Sequence, residues 1–238
     1  MITKNTIKSI AIIPARGGSK RIPEKNIKDF LGKPMIGRVI ETALASGVFA
    51  EVLVSTDSQK IAEIAKSYGA IVPFFRSPET SDDFATTSDV LYEVINDLKK
   101  HKFLFDTACC IYPTAVLLNP KHLIEANLNF ANSGYDTLIS VMQFSYPIQR
   151  AFKSKNNVLA MAWPENKSVR SQDLEKHYHD AGQFYFFNIN KFLVNKELFT
   201  DNTGFQLLQE HEAQDIDTIE DWTMAEIKYK YLLSKNAE

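Results

Sequence analysis

The stretch Ile10–Phe30, "IAIIPARGGSKRIPEKNIKDF", decides how the rest of the chain is read. A short run rich in isoleucine stops at Pro14. A loop then carries Arg16, Lys20, Arg21 and Lys25 around Gly17 and Gly18. The apolar, β-branched run reads as a buried strand. Loops that follow the first strand of a parallel sheet are natural phosphate cradles, because backbone N–H groups and nearby cations converge there. Neither G-x-x-x-x-G-K-[ST] nor G-x-G-x-x-G is present, so the simplest P-loop and dinucleotide readings fall away. The two glycines would let the backbone approach a ligand closely. Arg16 and Lys25 could clamp a polyphosphate, the first with a planar fork and the second as a point charge. A solvated basic turn is the bland alternative, and the position after the first strand argues against it.

Working outward, apolar strands alternate with amphipathic helices. "SIAIIPA", "AEVLVSTD", "IVPFF", "TACCIYPT" and "DTLISVMQF" read as strands. "MIGRVIETALASG" reads as a helix closed by Gly47, and "SQKIAEIAKSYGA" as one closed by Gly69. "SDVLYEVINDLKKH" has the helical spacing, and "PKHLIEANLNFANSG" starts at Pro120 and stops before Gly134. This rhythm predicts an α/β fold with a mostly parallel, Rossmann-like sheet and helices on both faces. Ligands of such sheets sit at the carboxyl ends of the strands, where the opening loop lies. The rhythm breaks between about Gln143 and His179. There, turn signals at "KSKNN" predict a β-rich arm leaving a single domain of residues 1–238. "AGQFYFFNI" resumes the core, so Phe184, Tyr185, Phe186 and Phe187 read as core strand. "DWTMAEIKYKYLLS" is the last helix.

Bulk composition is that of an ordinary globular chain of 238 residues, 45% hydrophobic and 24% charged, so it can bury a normal core. A net charge of −2 argues against a general nucleic-acid or membrane surface, and any positive site must be local. The opening "MITKNTIKSIAIIPARGG" has too short an apolar run for a signal peptide or a spanning helix, which leads us to expect a cytoplasmic protein. Cys109 and Cys110 are adjacent and point to opposite faces of a strand, so we expect two reduced, buried thiols. The pair His177 and His179 lacks a third metal ligand and reads as polar surface.

The second chemical constellation is "DIDT", where Asp215 and Asp217 alternate on an extended segment and share a face. Two carboxylates on one face suit Mg²⁺, which fills its remaining positions with water and phosphate oxygens. The alternative is that Asp217 or Thr218 caps the last helix.

"IPARGGSKRIPEKN", "VSTDSQKIAEIAKSYGA", "FFRSPETSDDFATTSDV", "RSQDL" and "DIDT" together resemble the CMP-sialate synthetase family, the cytidylyltransferases that activate nine-carbon acidic sugars. Within it, "YHDAGQFYFF" looks closer to the pseudaminate branch than to the sialate branch. The resemblance implies a CTP-dependent enzyme that joins CMP to a nonulosonic acid, most simply pseudaminic acid, and releases pyrophosphate. It implies that Ala15, Arg16, Gly17, Gly18, Ser19, Lys25 and Asn26 lie against CTP, with Arg76, Thr86, Thr87 and Ser88 also at the nucleotide. Asp215 and Asp217 would hold Mg²⁺, and Arg16 and Lys25 would act with them on the reacting phosphates. Arg170 and Gln183 would meet the sugar, and the arm would make a homodimer. Sialate synthetases carry an "LQPTSPLR"-like segment whose glutamine touches cytosine. Here Tyr112 stands in that place and Leu118 in place of the arginine, so that glutamine's role is not carried over. The competing expectations are the same reaction on sialic or legionaminic acid, and a non-catalytic nucleotide-binding paralogue.

Overall fold

The computed structural model describes residues 8–235; residues 1–7, which carry part of the opening stretch read above, lie outside the described residues. In chain order the elements are β1 (Ser9–Pro14), β2 (Asp29–Phe30), β3 (Lys33–Pro34), α1 (Met35–Ala45), β4 (Glu51–Ser55), α2 (Gln59–Ser67) and α3 (Thr87–Lys100). There follow β5 (Thr107–Ile111), α4 (Pro120–Ser133), β6 (Thr137–Gln143), β7 (Phe152–Lys155), β8 (Val158–Met161), β9 (Tyr178–Asn188), α5 (Ile189–Asn195), β10 (Thr203–Leu207) and α6 (Ile219–Lys235).

Alternation along β1 sends Ile10 and Ile12 to one face and Ala11 and Ile13 to the other, and all four are fully buried. A strand buried on both faces needs helices on both. One layer packs Ile36, Val39 and Ile40 of α1, Ile61 and Ala65 of α2, Leu123 and Ala126 of α4, and Trp222 and Ala225 of α6. The other packs Val90, Leu91, Val94, Ile95 and Leu98 of α3 with Ile189 and Phe192 of α5. β9 repeats the alternation, Phe184 and Phe186 against Tyr185 and Phe187. Each large side chain so buried contributes about 1.5–3 kcal/mol.

The central sheet has six strands in the order β10-β6-β9-β5-β1-β4. β1 runs parallel to β4 and β5, and β10 parallel to β6. β9 is antiparallel to both β5 and β6. The expected mostly parallel α/β architecture is therefore present, with one reversed strand. That reversal brings the first half of β9, Asp180 opposite Val141 and Phe184 opposite Ile111, to the edge where β5 and β6 end. The expected strand at "IVPFF" is a correction: only Ile71 makes a bridge, to Leu53, and Pro73 has no N–H to continue a ladder. β10 and α5 were not foreseen.

β6 and β9 pair out to Gln143 and Tyr178, where the arm leaves and returns. Its hairpin, β7 with β8, turns at Asn156 (φ 51°) and Asn157 (φ 61°), two consecutive left-handed residues of the kind a tight hairpin demands. Phe152, Val158 and Leu159 on it are 60%, 68% and 65% exposed.

Cys109 and Cys110 are free and wholly buried, as their positions in β5 suggested. Burial pushes both thiols above their ordinary pKa. Thiolate is the reactive form, so a disulfide-exchange reagent at pH 8 should label neither cysteine in the native protein and both in denaturant; fast native labelling would show that β5 opens.

Candidate functional site

At the end of β1, the Ala15 N–H donates to the Ser55 carbonyl (2.8 Å), and the chain turns into the cationic loop. The buried Asn26 donates from Nδ2 to the Arg16 carbonyl (3.0 Å), and Gly17 N–H donates to Asp57 Oδ1 (2.8 Å), so the loop is stitched at both sides. A Cβ on Gly17 would lie 3.1 Å from Ser58 Cβ. Gly17 thus sits tightly where the loop crosses the start of α2, while a Cβ on Gly18 would meet nothing.

A cleft of about 340 Å³ opens at the carboxyl edge of the sheet. Its walls include Arg16, Ser19, Lys20, Arg21, Lys25 and Asn26 from the loop. Opposite them stand Arg76, Thr87 and Tyr112, and Asp215 and Asp217 close the third side. Residues nearly two hundred positions apart therefore share one wall. Lys25 joins them: its Nζ donates to the Ile216 carbonyl (2.6 Å) and lies 3.4 Å from Asp217 Oδ1. Arg21 Nη2 lies 2.9 Å from the same oxygen.

The capping question resolves in favour of Thr218. Its N–H (2.8 Å) and hydroxyl (2.8 Å) donate to Asp221 Oδ2, and Asp221 N–H donates back to Thr218 Oγ1 (3.2 Å). This reciprocal cap at the start of α6 leaves the Asp217 carboxylate to the cleft. Asp215 is accessible as a residue, but its carboxyl is crowded by the cleft walls. That desolvation and then the charge of Asp217 raise its pKa above the ordinary carboxylate value, against the pull of Lys25.

Arg76 is buried; Nε and Nη2 donate to Ser55 Oγ (3.1 Å) and the Ser55 carbonyl (2.7 Å). Burial lowers its pKa, opposed by Asp57 and Glu93. Of the hydroxyl run, only Thr87 lines the cleft, sharing a hydrogen bond with the Tyr112 hydroxyl (2.8 Å). Thr86 caps α3 through Asp89, and its hydroxyl is committed there; Ser88 is not among the lining residues. Tyr112 packs against Tyr185 (5.4 Å between rings), whose hydroxyl donates to Asp180 Oδ2 (2.7 Å).

The two expected sugar contacts, Gln183 and Arg170, are not among the residues lining the cleft of this chain. Gln183 is wholly buried beside the cleft, donating from Nε2 to the Ala181 (2.8 Å) and Gly182 (3.1 Å) carbonyls, while its Oε1 has no partner. Arg170 is exposed on the arm, precedes a short 3₁₀ turn and does not line the cleft of its own chain. His177 and His179 accept or donate only to local backbone and Gln149, as ordinary polar surface does. The reading missed Asp82 and Asp83, which line the cleft and engage Arg16; their signal was two adjacent acids inside the hydroxyl-rich "PETSDDFATTS".

A cationic loop after β1, facing a carboxylate pair across the carboxyl edge of an α/β sheet, is the arrangement of a nucleotidyltransferase. Residues 10–231 match the Cytidylyltransferase family, and the chain belongs to it. A pseudaminic acid cytidylyltransferase of Campylobacter jejuni is 45% identical over 94% of this chain and 97% of its own length. A CMP-N,N'-diacetyllegionaminic acid synthase of Legionella pneumophila is 34% identical over 91% and 94%. The structure of a CMP:2-keto-3-deoxy-manno-octonic acid synthetase complexed with CTP superposes with a TM-score of 0.69, covering 96% of this chain and 99% of that one at 18% identity, and supports the fold.

Proposed function

We propose that this cytidylyltransferase joins CTP to pseudaminic acid. The observation that carries the reading is the wall shared by Lys25, Arg21 and Asp217, set in a chain 45% identical to a pseudaminic acid cytidylyltransferase. The anomeric hydroxyl of the sugar attacks the α-phosphorus; the new O–P bond forms as the bond to the β-phosphate bridge breaks, pyrophosphate leaves, and the hydroxyl proton passes to solvent. Such transfers ask mainly for alignment and charge neutralisation. Arg16 and Lys25 take the negative charge that gathers on the departing pyrophosphate.

Asp215 and Asp217 fit a hard divalent cation. They form an oxygen-only pair on the wall of the cleft that carries the cationic loop. These two side chains would hold Mg²⁺, which when bound neutralises phosphate charge and favours the attacking oxygen.

The arm makes a homodimer in this reading. Phe152, Val158 and Leu159 are apolar, exposed and adjacent on one hairpin, and a two-fold contact between copies would cover them. Arg170 then reaches a sugar from the arm of a second copy. The proposed reaction consumes CTP, a nucleotide of the cytoplasm, which supports a cytoplasmic site of action; among the described residues no helix is long and apolar enough to cross a membrane. Light scattering at micromolar concentration should give twice the chain mass; a monomer there would remove the dimer from the proposal.

The decisive assay incubates the protein with CTP, Mg²⁺ and a panel of pseudaminic, legionaminic and sialic acids, and identifies CMP-sugars by mass. CMP-pseudaminate should form fastest. Faster product from another acid would move the substrate assignment, and no product from any would favour a binding paralogue.

A further inference from the structure

The structure points to Asp83 as an internal competitor of the polyphosphate, a residue that sets how strongly an anion must be charged to bind; this rests on the nucleotide reading above. As Asp217 does with Arg21 and Lys25 on the other side, Asp83 pairs with two cations of the opening loop. Its Oδ1 lies 2.9 Å from Arg16 Nη2, and its other oxygen is bonded to Lys20 Nζ. Arg16 Nη1 also donates to the Asp82 carbonyl (2.6 Å). The fork that would grip phosphate oxygens is therefore filled by a carboxylate and a carbonyl from the α2–α3 connection. Arg16 and Lys20 hold the Asp83 carboxyl below the usual carboxylate range, so it stays ionised at neutral pH.

The connection does not depend on this pair for its shape. Asp82 Oδ1 accepts from the Phe84 and Ala85 N–H groups (both 2.8 Å), a local turn complete in itself. Further back, Glu93 accepts from the Ser77 N–H (2.7 Å), the Ser77 hydroxyl (2.8 Å) and the Thr80 hydroxyl. Asp83 adds an exposed ion pair to a loop already fastened, and exposed pairs are weak enough to exchange. An incoming polyphosphate offers several charges to the same fork and displaces one carboxylate. A weak or singly charged anion gains too little from that exchange. Asp83 thereby lowers affinity for CTP and for the pyrophosphate product alike, which favours product release.

Calorimetric titrations of CTP, pyrophosphate and uncharged cytidine into the parent, Asp83→Asn and Asp83→Ala proteins test this. Asp83→Ala deletes the carboxylate without leaving an amide to bond Arg16. The expected result is roughly three- to tenfold tighter CTP and pyrophosphate binding in both variants, the scale of one or two exposed ion pairs, with cytidine unchanged. Unchanged or weaker CTP and pyrophosphate binding overturns the proposal, and so does tightening of cytidine by the same factor, which would signal a merely wider cleft. A parent that binds pyrophosphate but no cytidine nucleotide would defeat the nucleotide reading while the pyrophosphate titrations still judge Asp83.

Discussion

Asp217→Asn is expected to lower turnover by about two or more orders of magnitude while the protein stays folded. The substitution preserves shape and removes charge at an oxygen that faces Arg21 (2.9 Å) and Lys25 (3.4 Å) in the cleft. Both pairs are partly exposed, so their loss costs little stability. The cap of α6 is unaffected because Thr218 and Asp221 make it. What goes is half of a carboxylate pair fitted to a divalent cation. Asp215→Asn should be equally inactive but differ in stability. Its folded pKa is raised, so the ionised form is disfavoured by folding; stability is lost as pH rises from the ordinary value of 3.8 through the raised one. Neutralising the group removes that penalty, and the Tm of Asp215→Asn at pH 7 should equal or exceed the parent's. Pyrophosphate release and thermal melts measure both effects. Near-parental turnover in the two variants with Mg²⁺ would sink the metal assignment.

Lys25→Met is the second large loss. The lysine side chain is half-buried between the opening loop and the Asp215–Asp217 segment, and its head both donates to the Ile216 carbonyl (2.6 Å) and faces Asp217. One side chain therefore fixes the segment against the loop and supplies charge to the phosphates. Losing a charge-assisted hydrogen bond of this kind costs about 1.5–3 kcal/mol, or roughly 10- to 100-fold in kcat/KM for CTP. Met keeps the stem but leaves the Ile216 carbonyl without this donor, so Tm should fall modestly while the fold is retained. Lys25→Arg keeps the charge and should recover part of the activity. A Lys25→Met protein with parental kinetics and a lowered Tm would reduce Lys25 to a structural tie.

Much of this was legible along the chain because it is encoded locally. Alternation in "SIAIIPA" announces a strand buried on both faces, Gly47, Gly69 and Gly134 announce helix ends, and the Asn156-Asn157 pair announces a hairpin turn. A cationic loop after an apolar strand and two carboxylates at i, i+2 are likewise local patterns of charge and spacing.

What depended on distant contacts was silent. β9 reads as a strand, but its antiparallel entry between β5 and β6 is set by partners far away along the chain, from Gln143 opposite Tyr178 to Thr107 opposite Asn188, which no local propensity reports. The edge strand β10 is a five-residue segment stabilised by β6 and has little pattern of its own. Thr86 and Thr87 are neighbours of the same chemical type, yet helix geometry commits one to the cap and turns the other to Tyr112. Asp82 and Asp83 carry no role in the sequence reading, because only folding sets them across from Arg16. The sequence by itself determined which residues can carry charge, turn the chain or bury themselves, since those are properties of side chains and short-range sterics. Only the tertiary structure decided which charges meet: Lys25 finds Ile216 and Asp217 because the sheet returns the chain to one edge, and that closeness belongs to topology.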